Sequence, residues 1–177
     1  MTSPDPPRPQ PQTTQPHTAQ IGKWGEELVC RWLEQQQWHI LAQRWHCRWG
    51  ELDIIARSPA STAKSPICFD RLAFVEVKTR QSRNWDADGR LAITRQKQQK
   101  LWKTARLFLG KHPHLSELSC QFDVALVQCN KLKQSGPADI GQVDHLLRST
   151  TIEVQKPIRV GAYQLLLLDY IESAFVL

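Results

Sequence analysis

The triplet Glu76-Val77-Lys78 sets two opposite charges at alternate positions of an apolar run, "LAFVEVK" (72–78). A second acid, Asp53, stands inside another such run, "ELDIIA" (51–56). Side chains of an extended strand alternate between faces. In 72–78 that groups Phe74, Glu76 and Lys78, with Ala73, Val75 and Val77 opposite. In 51–56 it groups Glu51, Asp53 and Ile55, with Leu52, Ile54 and Ala56 on the other face. If the two strands are neighbours, about 4.8 Å apart, Asp53 comes up to Glu76 and Lys78 sits one pleat along. Carboxylates that close repel unless a cation lies between them, and a ligand set of oxygen alone suits Mg²⁺. A lysine beside such an ion can steer or deprotonate a water, or stabilise a charged phosphate. The triplet alone decides nothing: an acid two residues before a lysine is expected about once in a chain of this size. An exposed strand pair of that kind is worth only about 0–1 kcal/mol.

Two segments of helical periodicity bring further charges. In the stretch beginning at Ile21, Val29, Cys30 and Leu33 recur at helical spacing, and Glu26 opens that stripe. In residues 92–110, Leu101, Ala105 and Phe108 recur at i, i+4 and i+7, and Lys97 opens the stripe. Each helix thus presents a charge at one end of its buried face. Glu26 as a first-turn acid favoured by the helix dipole, and Lys97 as a snorkelling lysine, are the plainer alternatives. The case for a site rests on all of these groups converging.

The elements that must position them follow from the same patterns. Residues 38–49, "WHILAQRWHCRW", read as a first strand and turn, 51–56 as a second and 72–78 as a third. The Pro/Ser-rich stretch 57–71 connects the second to the third. "QFDVALVQ" (121–128) is apolar on both faces, as expected for a covered central strand. Residues 129–162 hold Gly136, Pro137, Gly141 and Pro157 with little periodicity and are expected to be an insertion. "YQLLLLDYIESAF" (163–175) reads as a strand ending in a short turn or helix. The order α-β-β-β-α-β, with a further strand, predicts an α/β fold with a central mixed sheet flanked by helices.

The chain has 177 residues, enough for one domain with a sizeable core. Residues 1–20 carry six of its eleven prolines and almost no large apolar side chain, and are expected to be a disordered tail. Residues 21–177 are expected to form a single domain. Net charge is +6, which favours an acidic partner once the charge is localised. It is localised: from Leu91 to Lys111 there are six Lys or Arg and no Asp or Glu. Lys100, Lys103 and Arg106 share a helix face distinct from the Leu101 stripe, able to track a phosphate backbone, with a solvated basic face as the rival account. The five cysteines form no C-x-x-C pair and are expected to be reduced thiols in the cytoplasm. No run approaches the roughly 18 apolar residues of a membrane span, and no secretory leader is expected. Core packing accounts for most of the tryptophans crowded between 24 and 49, Trp49 being the one placed to stack on a base.

Taken in order, "GKWGEELVCRWL" (22–33), "WGELDIIA" (49–56), "FVEVKTR" (74–80), "RQKQQKLWKTARLFL" (95–109), "QFDVALV" (121–127) and "IESAF" (171–175) resemble the YraN-like family. That family is similar to the PD-(D/E)XK nuclease superfamily and to archaeal Holliday-junction resolvases. The resemblance implies a restriction-endonuclease-like αβββαβ core and Mg²⁺- or Mn²⁺-dependent phosphodiester hydrolysis. It implies catalytic roles for Glu26, Asp53, Glu76 and Lys78. The metal would be held by Asp53 and Glu76, with the backbone carbonyl of Val77 and, through a water, Glu26. Lys97, Lys100, Lys103, Arg106 and Arg80 are the expected nucleic-acid contacts, with DNA, branched DNA included, as the expected partner and a homodimer compatible with the reading. Leu52 stands where the superfamily's name has proline, the connector 57–71 is longer than the resemblance leads one to expect, and the segment 129–162 has no counterpart in it. The rival functions are a catalytically silent nucleic-acid-binding module of the same fold, and a protein–protein scaffold.

Overall fold

The computed structural model describes residues 18–59, 70–81, 93–132 and 141–175. Most of the Pro-rich tail, residues 60–69 of the connector and residues 133–140 of the expected insertion lie outside that set. The elements run α1 (Thr18–Gln35), β1 (His39–Cys47), β2 (Gly50–Arg57), β3 (Arg71–Arg80), α2 (Arg95–Lys111), β4 (Ser119–Lys131), α3 (Gly141–Ser149), β5 (Ile158–Val160) and β6 (Tyr163–Phe175), with a 3₁₀ turn at Pro113–Leu115. The six strands form one open sheet in the order β1-β2-β3-β4-β6-β5. Every neighbouring pair is antiparallel except β3 and β4, which α2 joins as a crossover and which therefore run parallel.

Each face of the sheet carries its own apolar layer. Val29, Cys30 and Leu33 of α1 and Val143 and Leu147 of α3 pack on Ile54, Val75, Ala125 and Val127. Leu101, Ala105 and Phe108 of α2 pack on Ile55, Phe74, Val124 and Leu126. The alternation predicted for β3 and the helical stripes predicted for α1 and α2 are thus what bury the two faces. Most of the tryptophans are core or partly buried packing groups: Trp24 lies 5.3 Å from Tyr163, Trp32 lies 4.6 Å from Tyr170 and Trp45 lies 5.4 Å from Phe108.

Four expectations are corrected. Residues 18–20, assigned to the tail, are the first turn of α1, recruited because Ile21 packs against the core just behind them. The segment 129–162 is not set apart from the fold: in its described part it closes β4, forms α3 and adds β5, and Ile152, Ile158 and Val160 join the α1 layer. The last segment remains a strand to Phe175. Its apparent turn is a bulge, where the register jumps from Val124–Ile171 to Phe122–Phe175 and Ser173 takes φ 48°. Asp123 holds that bulge, accepting hydrogen bonds from Ser173 N at 2.8 Å, Tyr170 Oη at 2.7 Å and Gln121 Nε2 at 2.9 Å. The fourth correction concerns β2. Leu52 packs with Ile55 on the α2 face, while Ile54 and Ala56 face α1, so strict alternation fails at Asp53. The β1 residue across from Asp53 is Arg44, whose φ of 48° lies in the left-handed region and breaks the pleat there.

Candidate active site

That broken pleat makes the site. β2 and β3 pair only from Arg57–Leu72 to Ile54–Val75, whereas β3 stays paired with β4 through Arg80. Beyond Val75 the two strands therefore part, leaving the amide of Val77 without a strand partner on the β2 side. Asp53 turns into this fork, and its Oδ2 accepts the Val77 N–H at 2.8 Å. A side-chain carboxylate takes the place of a backbone carbonyl, which fixes Asp53 beside the next residue of β3, Glu76.

Glu76 is 3% exposed and Asp53 9%. On Glu76, Oε1 meets Lys78 Nζ at 2.6 Å and Lys97 Nζ at 3.0 Å. Its other oxygen, Oε2, is buried and has no hydrogen-bond partner among the described residues. Lys78 reaches Oε1 because residues two apart on a strand share a face. Lys97 reaches it from α2, whose start is set by the Thr94 side chain accepting the Lys97 N–H at 3.3 Å. No acid stands in that first turn. The helix dipole disfavours a lysine there, so its place is explained by Glu76 and not by the helix.

Glu26 reaches the same fork from the opposite face. Here α1 lies close on β3: a methyl group on Gly25 would come 1.9 Å from Thr79 Oγ1 and 3.1 Å from Thr79 Cβ. Only glycine admits that approach, and the residue after it is Glu26. Its carboxylate lies 3.6 Å from Arg44 Nε, the residue that breaks the pleat. Burial raises the Glu26 carboxyl above its ordinary range, opposed by Arg44 and reinforced by Glu51 and Glu76. The acid most affected is Asp53, which burial and then the charge of Glu76 push up to about 7, against the hydrogen bond from Val77. Burial and the neighbouring Glu76 thus disfavour the ionised form of Asp53, the condition that a bound cation relieves.

This raised value has a measurable consequence in metal-free protein. The unfolded Asp53 titrates near 3.8, well below the folded group, so the folded chain holds the proton more tightly. Its contribution to stability is complete below about pH 4 and is lost as pH rises through about 7. In EDTA, the melting temperature should fall between pH 5 and pH 8, and Asp53→Asn should flatten that fall. A wild-type profile that rises over this range, or an Asp53→Asn profile identical to wild type, contradicts the assignment.

The predicted residues divide cleanly. Glu76, Lys78 and Lys97 are in direct contact, Asp53 is fixed beside them through Val77, and Glu26 is close enough to respond to Glu76. Lys100, Lys103 and Arg106 lie exposed along α2, outside this group. Arg80 lies at the end of β3, and the amide of Val77 is what holds Asp53 in the fork. The sequence reading missed Arg44, whose left-handed backbone no residue type announces. It also missed Gly25, although a glycine one position before a helical glutamate is a readable signal of close packing. Among the described residues no three His, Cys, Asp or Glu side chains are gathered as a ready cage for a metal ion. Two carboxylates with an open, unpartnered oxygen are nonetheless what Mg²⁺ commonly uses, since it keeps several waters and takes substrate phosphates as ligands. No helix among the described residues is long and apolar enough to cross a membrane.

The sequence signature described as "Uncharacterised protein family UPF0102" matches residues 25–127, a span that holds Glu26, Asp53, Glu76, Lys78 and Lys97. A UPF0102 protein of Acaryochloris marina is 61% identical over the whole of both chains. A second, from Trichodesmium erythraeum, is 46% identical over 88% of each chain, and one from Synechocystis is 39% identical over 88% of this chain and 97% of its own.

Proposed function

The chain belongs to the uncharacterised protein family UPF0102, and on that footing we propose that it is a metal-dependent nuclease of the PD-(D/E)XK type, hydrolysing phosphodiester bonds in nucleic acid, with DNA as the favoured substrate. The observation that carries the reading is Glu76: a buried carboxylate between Asp53 and two lysines, with one oxygen left without a hydrogen-bond partner among the described residues. A purely structural ion pair has no reason to leave that oxygen bare, because a buried unsatisfied acceptor costs about 1–3 kcal/mol or more. The order of elements agrees with the superfamily's αβββαβ core, with α3, β5 and β6 added after it.

Asp53 and Glu76 would hold Mg²⁺ or Mn²⁺, with Glu26 reaching it through a water. When bound, such an ion supplies Lewis-acid stabilisation of phosphate charge and a water of lowered pKa. The chain's own residues do the rest. The Val77 amide keeps Asp53 aimed into the fork. Lys78, held at Glu76, orients the attacking water and offsets charge on the phosphate. Lys97, on the same oxygen, neutralises the site so that a polyanion can approach two acids, then meets the neighbouring phosphate. Binding of the strand transfers these ammonium groups from carboxylate to phosphate, leaving Glu76 for the ion.

A second reading, a module that binds nucleic acid without cutting it, is favoured by one observation: the chain itself supplies two ammonium groups, Lys78 and Lys97, to balance the charge of Glu76. Incubating the protein with single-stranded, duplex and branched DNA and with RNA, with Mg²⁺ or Mn²⁺ and with EDTA, separates the two. The nuclease reading requires cleavage that EDTA stops; binding without cleavage in every condition selects the silent module.

A further inference from the structure

Beyond the fork, one exposed side chain is held more firmly than its exposure explains. Trp49 is 43% exposed at the tip of the β1–β2 hairpin. The hairpin is nevertheless pinned. Its Trp49 N–H donates to Cys47 Sγ at 3.3 Å, and Cys47 Sγ lies 3.8 Å from the Oγ1 of buried Thr104 on α2. Gly50 takes φ 146°, open to glycine but strained for other residues, and lets the turn settle over Thr104. Two cations attend the ring: Arg48 Cζ at 5.0 Å and Lys103 Nζ at 5.1 Å from its centroid. A flexible loop would let such a ring fold down onto apolar surface; this turn holds it up, between positive charges.

We infer that Trp49 is a stacking platform for an unpaired base of the bound strand, so that nucleic acid with single-stranded bases is preferred over unbroken duplex. A ring carrying cations offers an anionic strand both of its needs at one point. The base takes the ring face, and Arg48 and Lys103 swing to the phosphates on either side. That exchange is favourable, because a base stacked on an aromatic ring is worth more than a cation over an exposed one. In an unbroken duplex the base faces are already stacked on each other and are not available to Trp49. The position also suits the fork. Lys103 is six residues after Lys97 on α2, about 9 Å along the helix axis, and Lys97 touches Glu76. A strand tracking α2 from Trp49 would reach Glu76 within a few nucleotides. The inference rests on the nuclease reading for this strand path, and on charge complementarity along α2, for its occupant.

Binding alone tests it, so that lost catalysis cannot be mistaken for a lost platform. Fluorescence anisotropy with the full chain carrying Glu76→Gln, free of divalent metal, would use labelled oligo-dT and a blunt duplex of equal length. Adding Trp49→Ala should weaken oligo-dT binding by about fivefold to a hundredfold, with duplex binding changed less than twofold. Trp49→Phe should keep most of the affinity. Removing Trp49 should leave the salt dependence unchanged, whereas Lys103→Ala should lower its slope by about one. Equal losses on both nucleic acids, or none on oligo-dT, overturn the platform and leave the nuclease reading standing. Absence of any nucleic-acid binding overturns both.

Discussion

Asp53→Ala and Glu76→Ala should each lower metal-dependent cleavage by at least about a thousandfold, with the folded protein retained. The size follows from what the two carboxylates hold: a Lewis acid contributes several kcal/mol of transition-state stabilisation, and about 4 kcal/mol is a factor of a thousand in rate. Retention of the fold follows from the surroundings. Removing Glu76 eliminates a buried acceptor with one oxygen unpartnered among the described residues, and it frees two lysines that are only partly buried and can turn to water. Removing Asp53 frees the Val77 amide, a cost of about 1–3 kcal/mol, and relieves the burial and the repulsion by Glu76 that together push Asp53 up to about 7. Lys78→Ala should lose less than either carboxylate but still about a hundredfold, the usual lower range for one positioned group. Rates for all three within twofold of wild type, with circular dichroism unchanged, would remove the catalytic assignment from this fork.

Of the two glycines of α1, Gly25 and not Gly22 should be the one that alanine cannot replace without damage. The new carbon would sit 1.9 Å from Thr79 Oγ1 and 3.1 Å from its Cβ, and threonine is stiff at χ1 and cannot swing away. Overpacking of this kind costs about 1–3 kcal/mol, sometimes more, or roughly 2–12 °C in melting temperature for a domain of this size. Because α1 must lift off β3 to make room, Glu26 should leave the fork as well, and cleavage should fall with stability. Thr79→Ala supplies the control. That hydroxyl is buried without a hydrogen-bond partner among the described residues, so its removal alone should cost less than about 1 kcal/mol, and in the double variant most of the lost melting temperature should return. Additive losses in the double variant would mean that the close approach at Thr79 is not what Gly25 provides.

How the site could be read before the fold was known depends on which geometry each residue obeys. Glu76 and Lys78 were legible because β3 is a regular strand covered on both faces, so its period of two held from Phe74 to Thr79. Glu26 and Lys97 were legible because each begins a helical stripe whose later members, Leu33 and Phe108 among them, are buried. The stripes led to a sheet flanked by helices with converging charges, but not to how charges from opposite faces of the sheet could meet. Meeting requires the sheet to part between β2 and β3, and the parting depends on a left-handed Arg44 across from Asp53. Backbone of that kind at an arginine leaves no mark on composition or period. The helix α3 escaped for a different reason. It has 9 residues, and its described core contacts come from Val143 and Leu147 alone, too few for a period to stand out. Asp53 was placed beside Glu76 by a simpler geometry than the real one: it lies in the fork and is bonded to the Val77 amide, not displayed on a regular face.

All of this turns on whether the buried, half-satisfied Glu76 exists for chemistry. The direct measurement is the initial rate of cleavage of a nucleic-acid panel by purified wild-type protein in Mg²⁺ or Mn²⁺, beside the same preparation in EDTA and beside Glu76→Gln. Glu76→Gln keeps the side chain's shape and removes its charge. The account predicts cleavage of at least one substrate by wild type with metal, and loss of that cleavage both in EDTA and in Glu76→Gln. Cleavage that survives EDTA or Glu76→Gln, or no cleavage of any substrate by wild type with metal, contradicts it.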